Sequence, residues 1–316
     1  MTTLDSARPA SRLRSVLRWF DSYQHAPDHV SAQPDTVDWL RALPFVVMHL
    51  ACFSVIYTGW SMTAILVSVA MYALRMFAIT GFYHRYFSHK TFKTSRAMQF
   101  VFALLGASAV QRGPLWWASH HRHHHAHSDR HDDNHSPDQK GFAWSHVGWF
   151  LSNKHFPVKQ GYIRDYKQYP ELQFIDRFDF LVPAVYAVTL FIIGELLAFH
   201  FPELGTNGWQ LVVWGFVIST VALYHATFTI NSLAHRYGKR RFATSDNSRN
   251  SFWLALLTFG EGWHNNHHFY PGSARQGFAW WEIDVTYYGL KILSWVGLIW
   301  DLRPVPDHVH NARISP

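Results

Sequence analysis

The sequence predicts an all-α integral membrane protein with four spans in two hairpins and a polar helical cap. Three observations carry this. Aromatic residues make up 17% of the 316 residues, against only 16% charged, a balance suited to lipid. Four apolar stretches of roughly 20 residues pair across short polar connections, and about 20 helical residues cross the hydrocarbon. Two runs of histidine, WASHHRHHHAH and GEGWHNNHH, lie just beyond the second and fourth of those stretches. The mean hydropathy of −0.10 is low for a membrane protein because the polar, His-rich portions dilute it.

Taken in order, residues 1–38 form a polar tail with several Arg, Pro and Asp and no apolar leader core. A short helix lying on lipid is expected over residues 12–20. Spans are predicted at about 43–57, 61–82, 180–199 and 209–230, the first pair separated by TGW and the second by FPELGTNG. Residues 96–110 and 287–300 are apolar but short, and read as helices at the membrane surface beneath the cap. Residues 39–303 make one domain, and 304–316 a polar tail. The two short connections carry no Lys or Arg, so the positive-inside rule places both termini and the His-rich segments in the cytosol. The net charge of +7 then suits an anionic membrane face. Lys and Arg are scattered rather than striped, and no nucleic-acid module is present.

One cysteine, Cys52, excludes structural disulfides, thiolate zinc sites and four-Cys iron–sulfur centres within the chain. Metal binding must therefore rest on imidazole, which suits zinc, copper, iron and nickel. Residues three and four apart share a helix face. His121, His124 and His125 satisfy that spacing, as do His264, His267 and His268, while His120, His123 and His124 offer a competing register for the first run. With 23 histidines, a chance HxxHH is expected in only about a tenth of such chains. The looser pair His84 and His89 lies roughly 140° apart on an ideal helix. It converges only if the extension of the second span ends between them. His235, in NSLAH just past the fourth span, is a natural further ligand. At least eight imidazoles are available, more than the four a structural zinc needs.

HRYFSH, WASHHRHHH, NSLAH and GEGWHNNHH, together with GFAWSHVGW and the four-span layout, resemble the membrane-bound fatty acyl desaturases of the stearoyl-CoA Δ9 type, in their bacterial and cyanobacterial shape. The resemblance selects His121, His124 and His125. It implies two iron ions, one held by His84, His89, His121, His125 and His268, the other by His124, His235, His264 and His267 with Asn231 reaching it through a water. The remaining His120, His123, His127, His131 and His135 are expected at the surface or behind the ligands. Asp129, Asp132, Asp133 and Glu261 are candidates for orienting the ligand rings. The implied reaction is O2-dependent insertion of a cis double bond, expected at Δ9, with release of water. The resemblance also implies an apolar tunnel bending near Gln111 and Trp117.

Electrons must come from a separate donor of ferredoxin, rubredoxin or cytochrome b5 type with its reductase, since the chain has no haem-binding HPGG, Cys cluster or dinucleotide fingerprint. Ser119 and His120 stand where animal acyl-CoA members carry an arginine–aspartate pair, and Gln139 and Lys140 where those carry two basic residues. Acyl-CoA and acyl-lipid substrates both remain open. Two rival readings are a membrane di-iron hydroxylase of alkyl chains and, outside enzymes, a His-rich metal transporter. The transporter would need ionisable residues deep in several spans. His49, Arg75, Glu195 and His225 are polar residues at that depth. Interhelical hydrogen bonds are the expected reading for each, with His225 also a candidate for the tunnel wall.

Overall fold

The computed structural model describes residues 16–23 and 34–312. Among the described residues, four helices are long and apolar enough to cross a membrane: α1 (Trp39–Thr58), α2 (Met62–Ser88), α6 (Leu181–His200) and α7 (Gly208–Ser232). Between and after them lie α3 (Arg96–Ala107), α4 (Pro114–His127), α5 (Pro170–Arg177), α8 (Phe252–Leu257), α9 (His264–Phe269) and α10 (Val285–Trp295). The two expected hairpins, α1–α2 and α6–α7, are thus present, and α2 and α7 run further into the cap than hydropathy alone predicts. Of the helix expected over residues 12–20, 12–15 fall outside the described residues, and only Val16 and Leu17 are helical in the rest.

Each span begins or ends for a local reason. Asp38 caps α1 by accepting the N–H groups of Leu40 and Arg41, and Gly59 ends it at φ +67°. Ser61 caps α2 through Ala64 N–H, and Asn207 caps α7 through Gln210 N–H. The hairpin α6–α7 closes tightly: a Cβ at Gly194 would lie 2.5 Å from Gly208 Cα, so no larger residue fits. Apolar side chains such as Ile56, Leu66, Val188 and Phe199 stay exposed along the spans. In water such a surface would be a liability, whereas against lipid it is the expected outer face.

The polar residues within the spans have partners. Arg75 donates to Thr220 Oγ1 (2.6 Å) and to Ser219 across the helix interface, and Glu195 accepts Gly208 N–H (2.9 Å). His49 and His225 bond each other (3.0 Å), and His225 also meets His146 (3.1 Å). His225 therefore belongs to a surface imidazole chain and does not line the cavity described below.

The cap packs on the extension of α2. Phe82, Tyr83 and Phe87 are buried against Phe102, Leu115 and Ile163, with Phe82 and Phe102 stacked 3.8 Å apart. The stretch 287–300 is not one helix. α10 ends at Trp295, Gly297 adopts φ +76°, and the chain turns into a short strand, β2 (Ile299–Trp300), paired antiparallel with β1 (Lys93–Thr94). Glycine's freedom at positive φ permits this break inside an apolar run. Near the C-terminus, Val309 is buried with Phe242 and Phe278, so residues expected as a polar tail pack on the cap.

Candidate metal centre

The metal-ligating candidates come from four separated segments, and each is aimed by a distinct local device. His84 and His89 sit at the end of α2, where Ala78–Ser88 winds with i→i+5 hydrogen bonds. His89 N–H accordingly bonds His84 C=O at 3.2 Å. In this wider turn residues five apart come onto one side, and the two rings lie 5.0 Å apart. The helix ends between them, at Ser88, as expected, and His89 is the first residue beyond it. The last turns of the helix also change pitch.

α4 starts at Pro114, whose missing N–H costs nothing at a first helical position. Its next two amides, Leu115 and Trp116, donate to Asp176 Oδ1 of α5 at 2.9 and 2.8 Å. Gly113 leaves room for this, since a Cβ there would lie 2.4 Å from Asp176 Cα. The helix then turns His121, His124 and His125 to one side. His120 points elsewhere, bonded to Pro157 C=O (3.0 Å) and Asn134 (2.9 Å), and the competing register is excluded. Arg122 points away as well, donating to Phe87 C=O, Ser88 C=O and Tyr162 C=O and pairing with Asp165. α9 supplies His264, His267 and His268, and His235 follows the last turn of α7.

Two clusters result, each with ligand atoms within 4.8 Å of one another: His84, His89, His121, His125 and His267 in one, His124, His235, His264 and His268 in the other. The nine predicted histidines therefore converge, but His267 and His268 exchange places relative to the expected split. His267 Nε2 lies 3.0 Å from His84 Nε2 and 2.9 Å from His125 Nε2. His268 is turned the other way by Asp246 Oδ2, which accepts its Nδ1–H at 2.7 Å. Asn231 lines the adjoining cavity. His120 and His135 are buried, not superficial. His135 stacks on His124 at 4.3 Å beside Asp133.

Carboxylates orient the rings. Glu261 meets His84 Nδ1 at 2.5 Å, Asp133 meets His124 Nδ1 at 3.0 Å and Asp129 meets His235 Nδ1 at 2.9 Å. Among the described residues, Asp132 reaches no ligand ring and lies 3.5 Å from exposed His131. Asp246 and Gln276, the latter 3.3 Å from His84 Nδ1, were not foreseen. They sit in polar stretches without spacing that distinguishes them from surface residues. Burial would raise the carboxyls of Asp129, Asp133 and Asp246, but the hydrogen-bonded imidazoles pull all three down, Asp129 to about 2. They therefore stay ionised.

The donor set fits a cation. Burial pushes His89, His121, His125, His264 and His267 well below the usual histidine range and His268 to about 4, so these rings favour the neutral form. A ring whose Nδ1–H is held by a carboxylate turns a bare lone pair out at Nε2. Nε2 atoms approach each other at 2.8 to 3.0 Å in the pairs His89–His121, His84–His267 and His235–His264, and of these rings His84 and His235 have Nδ1 against a carboxylate. A metal ion in each cluster would be held by these ring nitrogens. Nitrogen-only donors fit a borderline metal such as iron or zinc.

A cavity of about 390 Å³ reaches this centre, touching His121, His135 and Asn231. Its walls are largely apolar, including Phe45, Met48, Trp149 and Phe228. Gln111 and Trp117 both line it. Gln111 donates to Thr227 Oγ1 at 2.8 Å, and Trp117 stacks on His121 at 5.0 Å.

The fatty acid desaturase family model matches residues 58–290. An sn-2 palmitoyl-lipid 9-desaturase of Nostoc sp. (strain 36) is 36% identical over 82% of this chain and 88% of its own length. An acyl-CoA 5-desaturase of Anemone leveillei is 33% identical over 97% of this chain and 94% of its own. A palmitoyl-monogalactosyldiacylglycerol delta-7 desaturase of Arabidopsis thaliana is 36% identical over 80% of this chain and 65% of its own.

Proposed function

The chain belongs to the fatty acid desaturase family, and on that premise we propose that it inserts a cis double bond at Δ9 of a saturated acyl chain carried as acyl-CoA or acyl-lipid. The observation that carries the reading is the meeting of nine imidazoles, in clusters of five and four, at the wall of an apolar cavity. Two irons would be held by these clusters, with Asn231 beside them. When bound they supply O2 activation and the removal of two hydrogens from neighbouring methylenes, at the expense of electrons from a separate ferredoxin, rubredoxin or cytochrome b5 type donor.

The protein's own contribution is placement. Phe45, Met48, Phe150 and Phe228 grip the chain by burial, worth roughly 0.8 kcal/mol per methylene. Trp117, stacked on His121, and the Gln111–Thr227 hydrogen bond shape the wall beside the metal centre and select which methylene pair approaches it. Glu261, Asp129, Asp133 and Asp246 keep a proton on Nδ1 of His84, His235, His124 and His268, leaving Nε2 free to ligate. The positive-inside distribution of Lys and Arg supports a cytosolic cap, in the inner membrane if the source is bacterial.

Expression in a host lacking its own desaturase, followed by mass spectrometry of lipids, tests the reading. It expects a monounsaturated product with its double bond at Δ9. An alcohol in place of an alkene would refute desaturation in favour of hydroxylation, and a double bond elsewhere would refute Δ9. Metal uptake unchanged by His121→Ala, alongside lost fatty-acid products, would exclude a metal transporter.

A further inference from the structure

The second span gives a depth scale for the cap. Counted from Met62 at the helical rise, Tyr72 lies about 15 Å along α2 and Phe82 about 30 Å. Hydrocarbon about 30 Å thick is therefore half crossed at Tyr72 and left behind near Phe82. Any tilt of α2 moves Tyr72 further from the cap-side boundary. Two cap elements attach to α2 inside that interval. The Tyr72 hydroxyl donates to the C=O of Leu257, the last residue of α8, at 2.6 Å. Thr80 Oγ1 meets Thr286 Oγ1 of α10 at 2.7 Å, and a Cβ at Gly289 would lie 2.4 Å from Phe77. A tyrosine side chain is too short to lift Leu257 back to the level of Phe82. The end of α8 is thus well inside the hydrocarbon, and α10 is just within its cap-side boundary.

The free faces of these elements match that depth. α8 contains no charged residue, and Phe252, Trp253, Leu256 and Leu257 are exposed, Trp253 at 77%. On α10, Val285, Tyr288, Ile292 and Trp295 recur at helical spacing and are exposed, while Thr286 and Leu290 are buried against Gly81 of α2. Between the two helices Trp280 is 83% exposed. Glu282 and Asp284 turn inward onto Arg241 and Arg85, so neither carboxylate reaches the free face. Lys291, the one cation in residues 279–300, lies along Trp295 with Nζ 5.9 Å from the ring centre, and its length lets the ammonium reach the headgroups. Elsewhere the exposed cap is polar, as at Arg236, Lys239 and Arg240.

Backbone groups in hydrocarbon need partners. At the sunken end of α8 the carbonyls of Leu254, Ala255 and Leu257 accept Thr258 N–H, Gly260 N–H and the Tyr72 hydroxyl. The same elements grip the segment leading into His264. Ser251 N–H donates to Gly262 C=O (2.8 Å), Thr286 N–H to Phe259 C=O (2.9 Å) and Trp263 Nε1–H to Ile283 C=O (2.8 Å).

We infer that α8, the turn at 280–283 and α10 form a wedge sunk in the cap-side leaflet, with phospholipid acyl chains as the partner of its exposed face. That face continues the lipid-facing surface of α2, where Leu66 and Val69 are exposed, and in water it would be a large contiguous apolar patch. Trp280 then sits near the headgroups, where indoles concentrate. Residues 287–300, expected from the sequence as a helix lying on the membrane, enter it in part, together with α8, which hydropathy did not single out.

The test uses the full chain in vesicles of phosphatidylcholine and phosphatidylglycerol. A Cys52→Ser background carries one added cysteine, Trp253→Cys, Leu257→Cys or Ile292→Cys, labelled with nitrobenzoxadiazole. Val188→Cys, on the lipid face of α6, and Tyr237→Cys, on the polar cap surface, are the references. Quenching by nitroxide-labelled phosphatidylcholine should match that at Val188→Cys for all three labels. Iodide quenching should fall about tenfold or more below that at Tyr237→Cys, because hydrocarbon excludes ions. The Leu257→Cys label should respond more to a nitroxide deep on the acyl chain than to one near the headgroup. Trp295→Cys serves where one of these variants does not fold. Iodide quenching equal to that at Tyr237→Cys overturns the inference. Labels shielded from both quenchers overturn it too, and assign the face to a second copy or another protein.

Ile292→Glu gives a readout without a label. On a water-facing surface the change is nearly neutral, whereas a carboxylate in hydrocarbon is costly. Tm in the vesicles should therefore drop by about 5 °C or more, while Tyr237→Glu leaves it unchanged. A wild-type Tm for Ile292→Glu would sink the wedge.

Discussion

Asp246→Asn isolates the orienting role of a carboxylate without changing side-chain volume. Asp246 is buried, accepts His268 Nδ1–H at 2.7 Å through Oδ2, and accepts Ser248 N–H at 3.0 Å and its hydroxyl through Oδ1. An amide has one accepting oxygen. If it faces His268, its NH2 meets the Ser248 N–H, donor against donor, and if it faces Ser248, it opposes the His268 N–H. Either way one bond fails and the charge assistance is lost from the other. A hydrogen bond to a charged group contributes about 1.5–3 kcal/mol, which corresponds to about 10- to 100-fold in metal affinity. Because Asp246 serves His268 of the four-His cluster, the loss should fall on one ion. Iron per chain, measured by mass spectrometry after equilibration with graded chelator, should drop by half at about 10- to 100-fold lower chelator than in the wild type. A release curve superimposable on the wild type would refute the orienting role of Asp246.

Replacing His121, His264 or His268 with Ala should abolish unsaturated product while leaving the protein in the membrane fraction; normal lipid profiles from any of the three would refute the ligand assignment. Gly113→Ala should destabilise the fold by about 1–3 kcal/mol, because its Cβ would press on the Asp176 backbone; an unchanged Tm in detergent would contradict this. Burial, opposed by the amides it accepts, pushes the Asp176 carboxyl up to about 7. The folded state therefore keeps a proton that the unfolded chain releases near its ordinary value of 3.8, and stability should fall as pH rises between these values. Asp176→Asn, which still accepts the two amides, should flatten that decline, and a Tm–pH slope equal to the wild type's would exclude the effect.

Hydropathy located all four spans because lipid imposes one long apolar helix per crossing, with no tertiary choice to make. The cap ends of α2 and α7 escaped it, since Tyr83–Ser88 and Asn231–Ser232 are as polar as a loop and are helical through packing. The two HxxHH runs stood out by their spacing, while the register of the first and the full set of nine histidines were implied by the family resemblance. Their partition was not legible: His267 and His268 are neighbours on a single turn, and which cluster each joins depends on Asp246, twenty-two residues earlier in a polar loop. The change of pitch over Ala78–Ser88 left no periodic trace, because apolar residues there are buried on every side. The β1–β2 pairing joins segments about 200 residues apart and two residues long, below the reach of any local pattern.

Arg122 gives the His-rich helix a second trade. Placed between two ligands of its own run, it grips the last carbonyls of α2, Phe87 and Ser88, at 2.6 and 2.8 Å. The segment that presents His121 and His125 thereby splices itself to the one that presents His84 and His89. A lesion that unseats this arginine would spare every metal-binding ring in name while cutting a tie between the two segments that carry four of them.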